Sequence, residues 1–265
     1  MAGSDEFYTH GHNPVVVNAH ATRTAADSAQ FLLPYLRATH RLLDFGCGPG
    51  SITVDLARSV DAVVGVDSSA EAIAIADQDA AAPNVEYVEA SVYELPFPDG
   101  SFDVAYGHQI LHHLGNPVAA LAEVRRVLVP GGVLAVRETD FGTMTHYPHY
   151  AELDAWLELF HKVARSNGGE PDAGRRLAGW VRAAGYDDIL ATSSSWHYTS
   201  PDQRLWWAQT WAERTRLPRF ADRAAELGFA DYIEPIAEGW LRWATEPDGW
   251  FAFLHGEVIA LHPLG

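Results

Sequence analysis

Positive charge is scarce in this 265-residue chain: 18 lysine and arginine residues stand against 35 aspartates and glutamates, a formal charge of −17, and Lys162 is the one lysine. Nucleic acids and anionic membranes require local positive potential, so this balance argues against both and leaves a small molecule as the expected partner. Cysteine is nearly absent. Cys47 stands alone, which excludes an internal disulfide. No apolar run approaches the ~18 residues of a membrane span, and Met1-Ala2-Gly3-Ser4-Asp5-Glu6 lacks the charged-then-apolar order of an export signal, so a cytoplasmic location is expected. Metal-ligand spacing is missing as well. The histidines of residues 7–23 have no cysteine and no H-E-x-x-H pattern beside them, and no metal is expected.

The most informative stretch runs from Arg41 to Ser69. Leu42, Leu43 and Phe45 form a short apolar strand that meets Gly46, Cys47, Gly48, Pro49 and Gly50, and a helix is predicted from Ser51 to Arg58. Glycines in such a turn let a ligand approach the backbone where a Cβ would collide, and N–H groups at a helix start favour negative charge. A second strand, Ala62 to Val66, ends at Asp67, where a carboxylate can accept hydrogen bonds from both hydroxyls of a ribose. The ligand expected is therefore nucleotide-like. The spacing Gly46-x-Gly48-x-Gly50 differs from the G-x-G-x-x-G of a pyrophosphate site, and Pro49 removes a donor, which favours S-adenosylmethionine over a dinucleotide.

Through Leu42-Leu43-Asp44-Phe45-Gly46-Cys47-Gly48-Pro49-Gly50 and Val64-Gly65-Val66-Asp67-Ser68, the chain resembles the class I S-adenosylmethionine-dependent methyltransferases. Leu95-Pro96-Phe97-Pro98-Asp99-Gly100-Ser101-Phe102-Asp103-Val104, His108 to Leu114 and Arg126 to Gly132 resemble the UbiE-like branch, which includes the ubiquinone and menaquinone C-methyltransferases. The resemblance spans about residues 40 to 140 and speaks to fold and cofactor more than to substrate. It implies an α/β fold, a doubly wound Rossmann-like sheet of seven strands. It also implies cofactor contacts from Asp44, Gly46, Cys47, Gly48, Gly50, Asp67 and Ser68, from Ser91 and Val92 after the third strand, and from His108. Ser91 stands where many relatives carry an aspartate for the adenine amino group. Relatives often fold an amino-terminal segment over the cofactor, which makes residues 1–24 a lid, with Tyr8 and His12 covering the methionine end. The alternative for that segment is a surface arm.

Further along, a helix is predicted over Ala25–Leu36, another over Ala70–Ala80, a strand over Val85–Val88, a fourth strand over Phe102–Tyr106 and a helix from Pro117 to Leu128. His108 lies at the carboxyl end of the fourth strand, where open α/β sheets bind ligands. His112 and His113 precede the helix and suit either pocket or scaffold. The fifth strand, Val133 to Val136, leads into Arg137-Glu138-Thr139-Asp140-Phe141. Glu138 is the candidate general base, acting directly or through His108 or His113. The competing reading of Arg137, Glu138 and Asp140 is an ion-pair network in the pocket wall.

Beyond residue 140 the common pattern ends. Leu153, Trp156, Leu157 and Phe160 share one face of a helix that Gly168-Gly169 breaks, a helix covers Ala173–Ala184, and Pro201 to Ala244 reads as helical with Trp206, Trp207, Trp211, Trp240 and Trp243. A sixth strand over Asp188–Tyr198 and a seventh over Trp250–Leu261 are expected to form a hairpin. The sequence thus predicts a core of residues 25–140, 171–200 and 248–265, and a helical cap of residues 141–170 and 201–247. Indoles in such number suit a core and also a flat aromatic-tolerant cavity, so the candidate substrate contacts are Tyr8, Arg23, Arg137, Glu138, Asp140, Phe141, Trp156, Phe160, Trp207 and Trp211. The expected function is methyl transfer to a carbon, nitrogen or oxygen of a bulky aromatic or heteroaromatic metabolite: an indole-type alkaloid, a polyketide or a quinone of secondary metabolism. Two alternatives share the strand, turn and acid: an NAD-dependent oxidoreductase and a non-catalytic cofactor-binding module. The residues leave the oligomeric state, monomer or homodimer, open.

Overall fold

The structure, a computed structural model, describes residues 23–264. Its frame is one sheet of seven strands: β1 (Arg41–Phe45), β2 (Ala62–Asp67), β3 (Val85–Glu89), β4 (Phe102–His108), β5 (Leu128–Tyr147), β6 (Asp187–Tyr198) and β7 (Trp250–Leu261). The order is β3-β2-β1-β4-β5-β7-β6. The first five run parallel. β7 is antiparallel to both neighbours, lying between β5 and β6. β1 sits between β2 and β4, so chain order reverses there, and the carboxyl ends of β1 and β4 open a crevice.

Residues alternate across the sheet with a period of two. Leu43, Val64, Ala105 and Leu134 pack on one face beneath α4 (Pro117–Val127) and α6 (Leu177–Ala183). Leu42, Val63, Val104 and Ala135 pack on the other, with Leu32, Ile52 and Leu56, the last two from α2 (Ser51–Leu56). Both faces are covered, which explains why the central strands read as continuous apolar runs. Two further helices belong to this half, α1 (Ala25–Ser28) and α3 (Ala70–Asp79).

Four helices form the cap: α5 (Ala151–Ser166) between β5 and β6, then α7 (Pro201–Arg216), α8 (Pro218–Glu226) and α9 (Ile233–Ala244) between β6 and β7. They enclose a second apolar core centred on Trp156, Trp211 and Trp240, with indole centroids 4.5 and 5.0 Å from Trp156.

Two elements differ from the sequence reading. The helix expected over Ala25–Leu36 is only α1, capped at Ala29, followed by a 3-10 turn at Leu33–Tyr35, where Pro34 has no N–H to offer an α-helical continuation. β5 runs on to Tyr147, past the expected core boundary at residue 140, because β7 pairs with it from Val133↔Leu261 to Tyr147↔Trp250 across one irregularity. β7 pairs antiparallel with β6, as the sequence reading expects, and with β5 on its other side. Among the described residues no helix is long and apolar enough to cross a membrane, and no group of three or more His, Cys, Asp or Glu side chains could hold a metal ion.

Candidate active site

The glycine turn is built by close packing from beneath. Gly46, Gly48 and Gly50 all have positive φ (+75°, +53° and +79°). A Cβ on Gly46 would stand 2.6 Å from Ile110 Cδ1, and one on Gly50 would strike the Tyr87 hydroxyl, whereas one on Gly48 would enter open space. Gly48 is thus the point at which the backbone offers itself to a ligand. Asp67 holds the turn: Oδ2 accepts the Gly48 N–H at 3.0 Å and Oδ1 the Ser69 N–H at 3.0 Å, and each oxygen keeps a lone pair for a further donor. Beneath the turn, the buried Asp44 accepts the Thr53 hydroxyl at 2.6 Å. Burial raises the pKa of Asp44 to about 7, the Thr53 hydrogen bond opposes the rise, and Asp67 adds to it.

Across the crevice, the turn after β4 is pinned by Glu138. Its Oε1 accepts the N–H groups of Ile110 (2.9 Å) and Leu111 (2.6 Å), and its Oε2 lies 2.6 Å from His112 Nδ1. With a carboxylate accepting at Nδ1, a neutral His112 carries its proton there and its lone pair on Nε2. The cap grips the same residue, since Glu170 donates its N–H to the His112 carbonyl at 2.9 Å. Gln109, at φ +55°, joins three elements. Its Oε1 accepts Arg23 Nη2 at 2.6 Å, and its Nε2 donates to Thr139 Oγ1 at 2.7 Å and to His255 Nε2 at 2.9 Å. Burial, together with Arg137 and Arg23, holds the His255 pKa well below the usual range, so the ring is a neutral acceptor.

A cavity of about 220 Å³ opens between this turn and the cap. Gln109, His112, His113, Thr139 and Phe141 form its floor, Arg23 and Asp27 one edge. Its walls are aromatic: Trp196, Tyr198, Trp206, Trp207, Trp211 and Phe253, with Met144 and Arg214. Tyr198 stacks on Trp207 at 4.2 Å and 12°.

Residues 43–136 match a family model described as a methyltransferase domain. An uncharacterized methyltransferase of Schizosaccharomyces pombe is 32% identical over 96% of this chain and 95% of its own length. The chain belongs to the class I S-adenosylmethionine-dependent methyltransferases. A 27-O-demethylrifamycin SV methyltransferase of Amycolatopsis mediterranei is 35% identical over 55% of this chain and 53% of its own. The solved structure of the YcgJ protein from Bacillus subtilis shares the fold, with a TM-score of 0.61 at 20% identity, over 91% of this chain and 100% of that one.

S-adenosylmethionine is the cofactor of this methyltransferase, and the crevice fits it: the open approach at Gly48 adjoins Asp67, whose two carboxylate oxygens each keep a lone pair for a hydroxyl donor. Around them, Ser68 and Ser91 are exposed, Val92 and Cys47 are buried, and Gly46 and Gly50 shape the turn. Ser91 Oγ accepts the Tyr93 N–H at 3.3 Å. Tyr8 and His12 lie outside the described residues.

Several expected acceptor contacts are not on the cavity. Glu138 is completely buried behind His112, so it cannot touch an acceptor as base. Arg137 is buried against Glu257 (3.1 Å) and Ser194, in cross-strand register with Glu257. Asp140 is clamped by Arg175 at 2.5 Å. Both residues are held in ion pairs, Arg137 with Glu257 and Asp140 with Arg175, away from the cavity lining. Trp156 and Phe160 are 1% exposed in the cap core, because the face they share packs inward against α9 and α7. His108 is buried beside Tyr106 and His255, off the cavity. Arg23, His113, Phe141, Trp207 and Trp211 do line it. Trp196, Tyr198 and Phe253 escape the sequence reading, since β6 and β7 reach the site only through the β5-β7-β6 pairing, and Gln109 escapes it because its partners Arg23, Thr139 and His255 are distant in sequence.

Proposed function

We propose that this methyltransferase transfers the methyl group to a hydroxyl oxygen of a flat aromatic metabolite, with His112 as the general base and Glu138 as its positioning residue. The observation that carries the reading is the His112–Glu138 pair at the floor of an aromatic cavity. S-adenosylmethionine, when bound, supplies a methyl group on a positively charged sulfur. A neutral hydroxyl is a weak nucleophile, so a group that removes its proton as the new bond forms speeds the reaction, by ~10²–10⁴-fold for a well-placed base. His112 Nε2 takes that proton. Glu138 keeps Nδ1 protonated and stabilises the resulting imidazolium, and the two backbone N–H groups keep the carboxylate in place. The aromatic walls orient a planar ring and exclude water, and orientation alone contributes several kcal/mol, ~7–11 at the extreme.

The Amycolatopsis relative, named for methyl transfer to an oxygen, supports this choice over carbon or nitrogen. The same name supports a role in secondary metabolism. The test is mass spectrometry of aromatic hydroxy compounds and their amine analogues incubated with enzyme and S-adenosylmethionine. The hydroxy compounds should gain the mass of one methylene and the amines should not; a gain confined to the amines contradicts the reading.

A further inference from the structure

We infer that the acceptor bears a carbonyl oxygen besides the hydroxyl that is methylated, and that the Thr139 hydroxyl donates its hydrogen to that oxygen. This rests on the cavity being the acceptor site. Thr139 is buried in β5 opposite His255 of β7, and it lines the cavity together with Gln109. The direction of the hydrogen bonds in this group follows from the chemistry of Arg23, because a guanidinium has donors and no acceptor. Gln109 must therefore turn Oε1 to Arg23 Nη2, 2.6 Å away, which leaves its NH₂ for Thr139 Oγ1 at 2.7 Å and His255 Nε2 at 2.9 Å. An amide nitrogen only donates. Both partners consequently accept, and the Thr139 oxygen keeps its own hydrogen to give.

Among the described residues no group accepts that hydrogen. A buried hydroxyl proton without an acceptor is costly, so a molecule in the cavity that brings an acceptor to Thr139 gains more than one that does not. The backbone of Gln109 fits the same purpose. Its φ of +55° lies in the left-handed region that residues other than glycine rarely adopt, and its amide is held there by three hydrogen bonds to Arg23, Thr139 and His255. Such strain gathers where a site needs one fixed orientation, here the one that keeps the Thr139 hydrogen turned away from Gln109. A carbonyl suits this donor because it only accepts. Conjugated to a ring, its lone pairs lie in the ring plane, so a flat molecule held between aromatic walls such as Trp207 and Tyr198 presents that oxygen at its edge.

The experiment uses the full chain with S-adenosylhomocysteine present. Equilibrium dialysis compares 1-, 2-, 3- and 4-hydroxyfluorenone, each with the hydroxyfluorene of the same substitution, a flat molecule that has a methylene in place of the carbonyl. At least one ketone should bind about 5–50-fold more tightly than its partner, because the hydrocarbon leaves the Thr139 hydrogen unpaired. T139V removes the donor and keeps the shape, whereas Q109E keeps Thr139 and supplies a carboxylate that draws its hydrogen away from the ligand. Both variants should bring the ratio of the two constants toward one. Equal binding in every pair, or an advantage that survives in folded T139V or folded Q109E, would overturn the inference while leaving methyl transfer to a hydroxyl intact. Failure of all the compounds to bind would overturn it together with the aromatic-acceptor reading. If one variant does not fold, the other decides.

Discussion

The Nδ1 atom of His112 lies 2.6 Å from Oε2 of Glu138, with the two side chains 6% and 0% exposed. A carboxylate so deeply buried is tolerated because both its oxygens are engaged, one by two backbone N–H groups and the other by the imidazole. The nitrogen of the pair left outside this contact is Nε2 of His112, a residue that lines the cavity.

Glu138→Gln tests that arrangement. The amide oxygen can still accept the Ile110 and Leu111 N–H groups, but its NH₂ would face Nδ1 and force the other tautomer, which places a proton on Nε2. Turnover should fall ~10²–10⁴-fold, while calorimetry shows S-adenosylhomocysteine binding nearly as tightly as before. A variant that loses cofactor affinity instead would make Glu138 a brace for the turn.

The cofactor half of this site was legible in the sequence because it is local: a strand, a glycine turn, a helix and an acid lie within Arg41–Ser69. The seven-stranded α/β class and the helical cap could be read from periodicity and resemblance together. The acceptor half was less legible because it is assembled from distant segments. Glu138 stands out in the sequence as a carboxylate after the fifth strand, yet its residue type and position do not reveal that its oxygens are consumed by Ile110, Leu111 and His112. Trp156 and Trp207 look alike in sequence. Both belong to the buried cap cluster, and only the packing of α5 against α9 shows that Trp156 is enclosed there while Trp207 also lines the cavity.

That contrast gives a second prediction. Trp156→Ala removes a ring at the centre of the cap core and should cost ~3–5 kcal/mol of stability, read as a lowered urea midpoint, whereas Trp207→Ala should act mainly by raising the acceptor KM. Equal loss of stability with unchanged KM in both would place Trp207 in the core as well.

Gly48→Ala and Asp67→Ala probe the cofactor turn from two sides. A Cβ on Gly48 meets no protein atom, so the variant should fold at a backbone cost of ~1 kcal/mol and still lose cofactor affinity by obstruction. Asp67→Ala removes charge-assisted hydrogen bonds worth ~1.5–3 kcal/mol and should weaken cofactor binding ~10–150-fold. Wild-type dissociation constants in both folded variants would remove the turn from the cofactor site.

Asp44 makes stability depend on pH. Its folded pKa of about 7 lies above that of the unfolded chain, so between these values the folded state holds a proton that the unfolded state has lost. Stability from this group is complete at low pH and is lost as pH rises toward 7, at up to ~1.4 kcal/mol per pH unit. The advantage of Asp44→Asn over wild type in urea unfolding should therefore grow by about 1–3 kcal/mol from pH 5 to pH 7. A difference that stays flat or shrinks over that range contradicts the assignment.

The most direct test of the central claim is the pH dependence of single-turnover methyl transfer in His112→Gln beside wild type, using an aromatic hydroxy compound that the enzyme methylates. If His112 takes the acceptor proton, the variant should be slower by ~10²–10⁴-fold near neutral pH, and the gap should close as rising pH ionises the acceptor without help. Equal rates, or a gap that remains constant at every pH, would show that the proton does not go to His112.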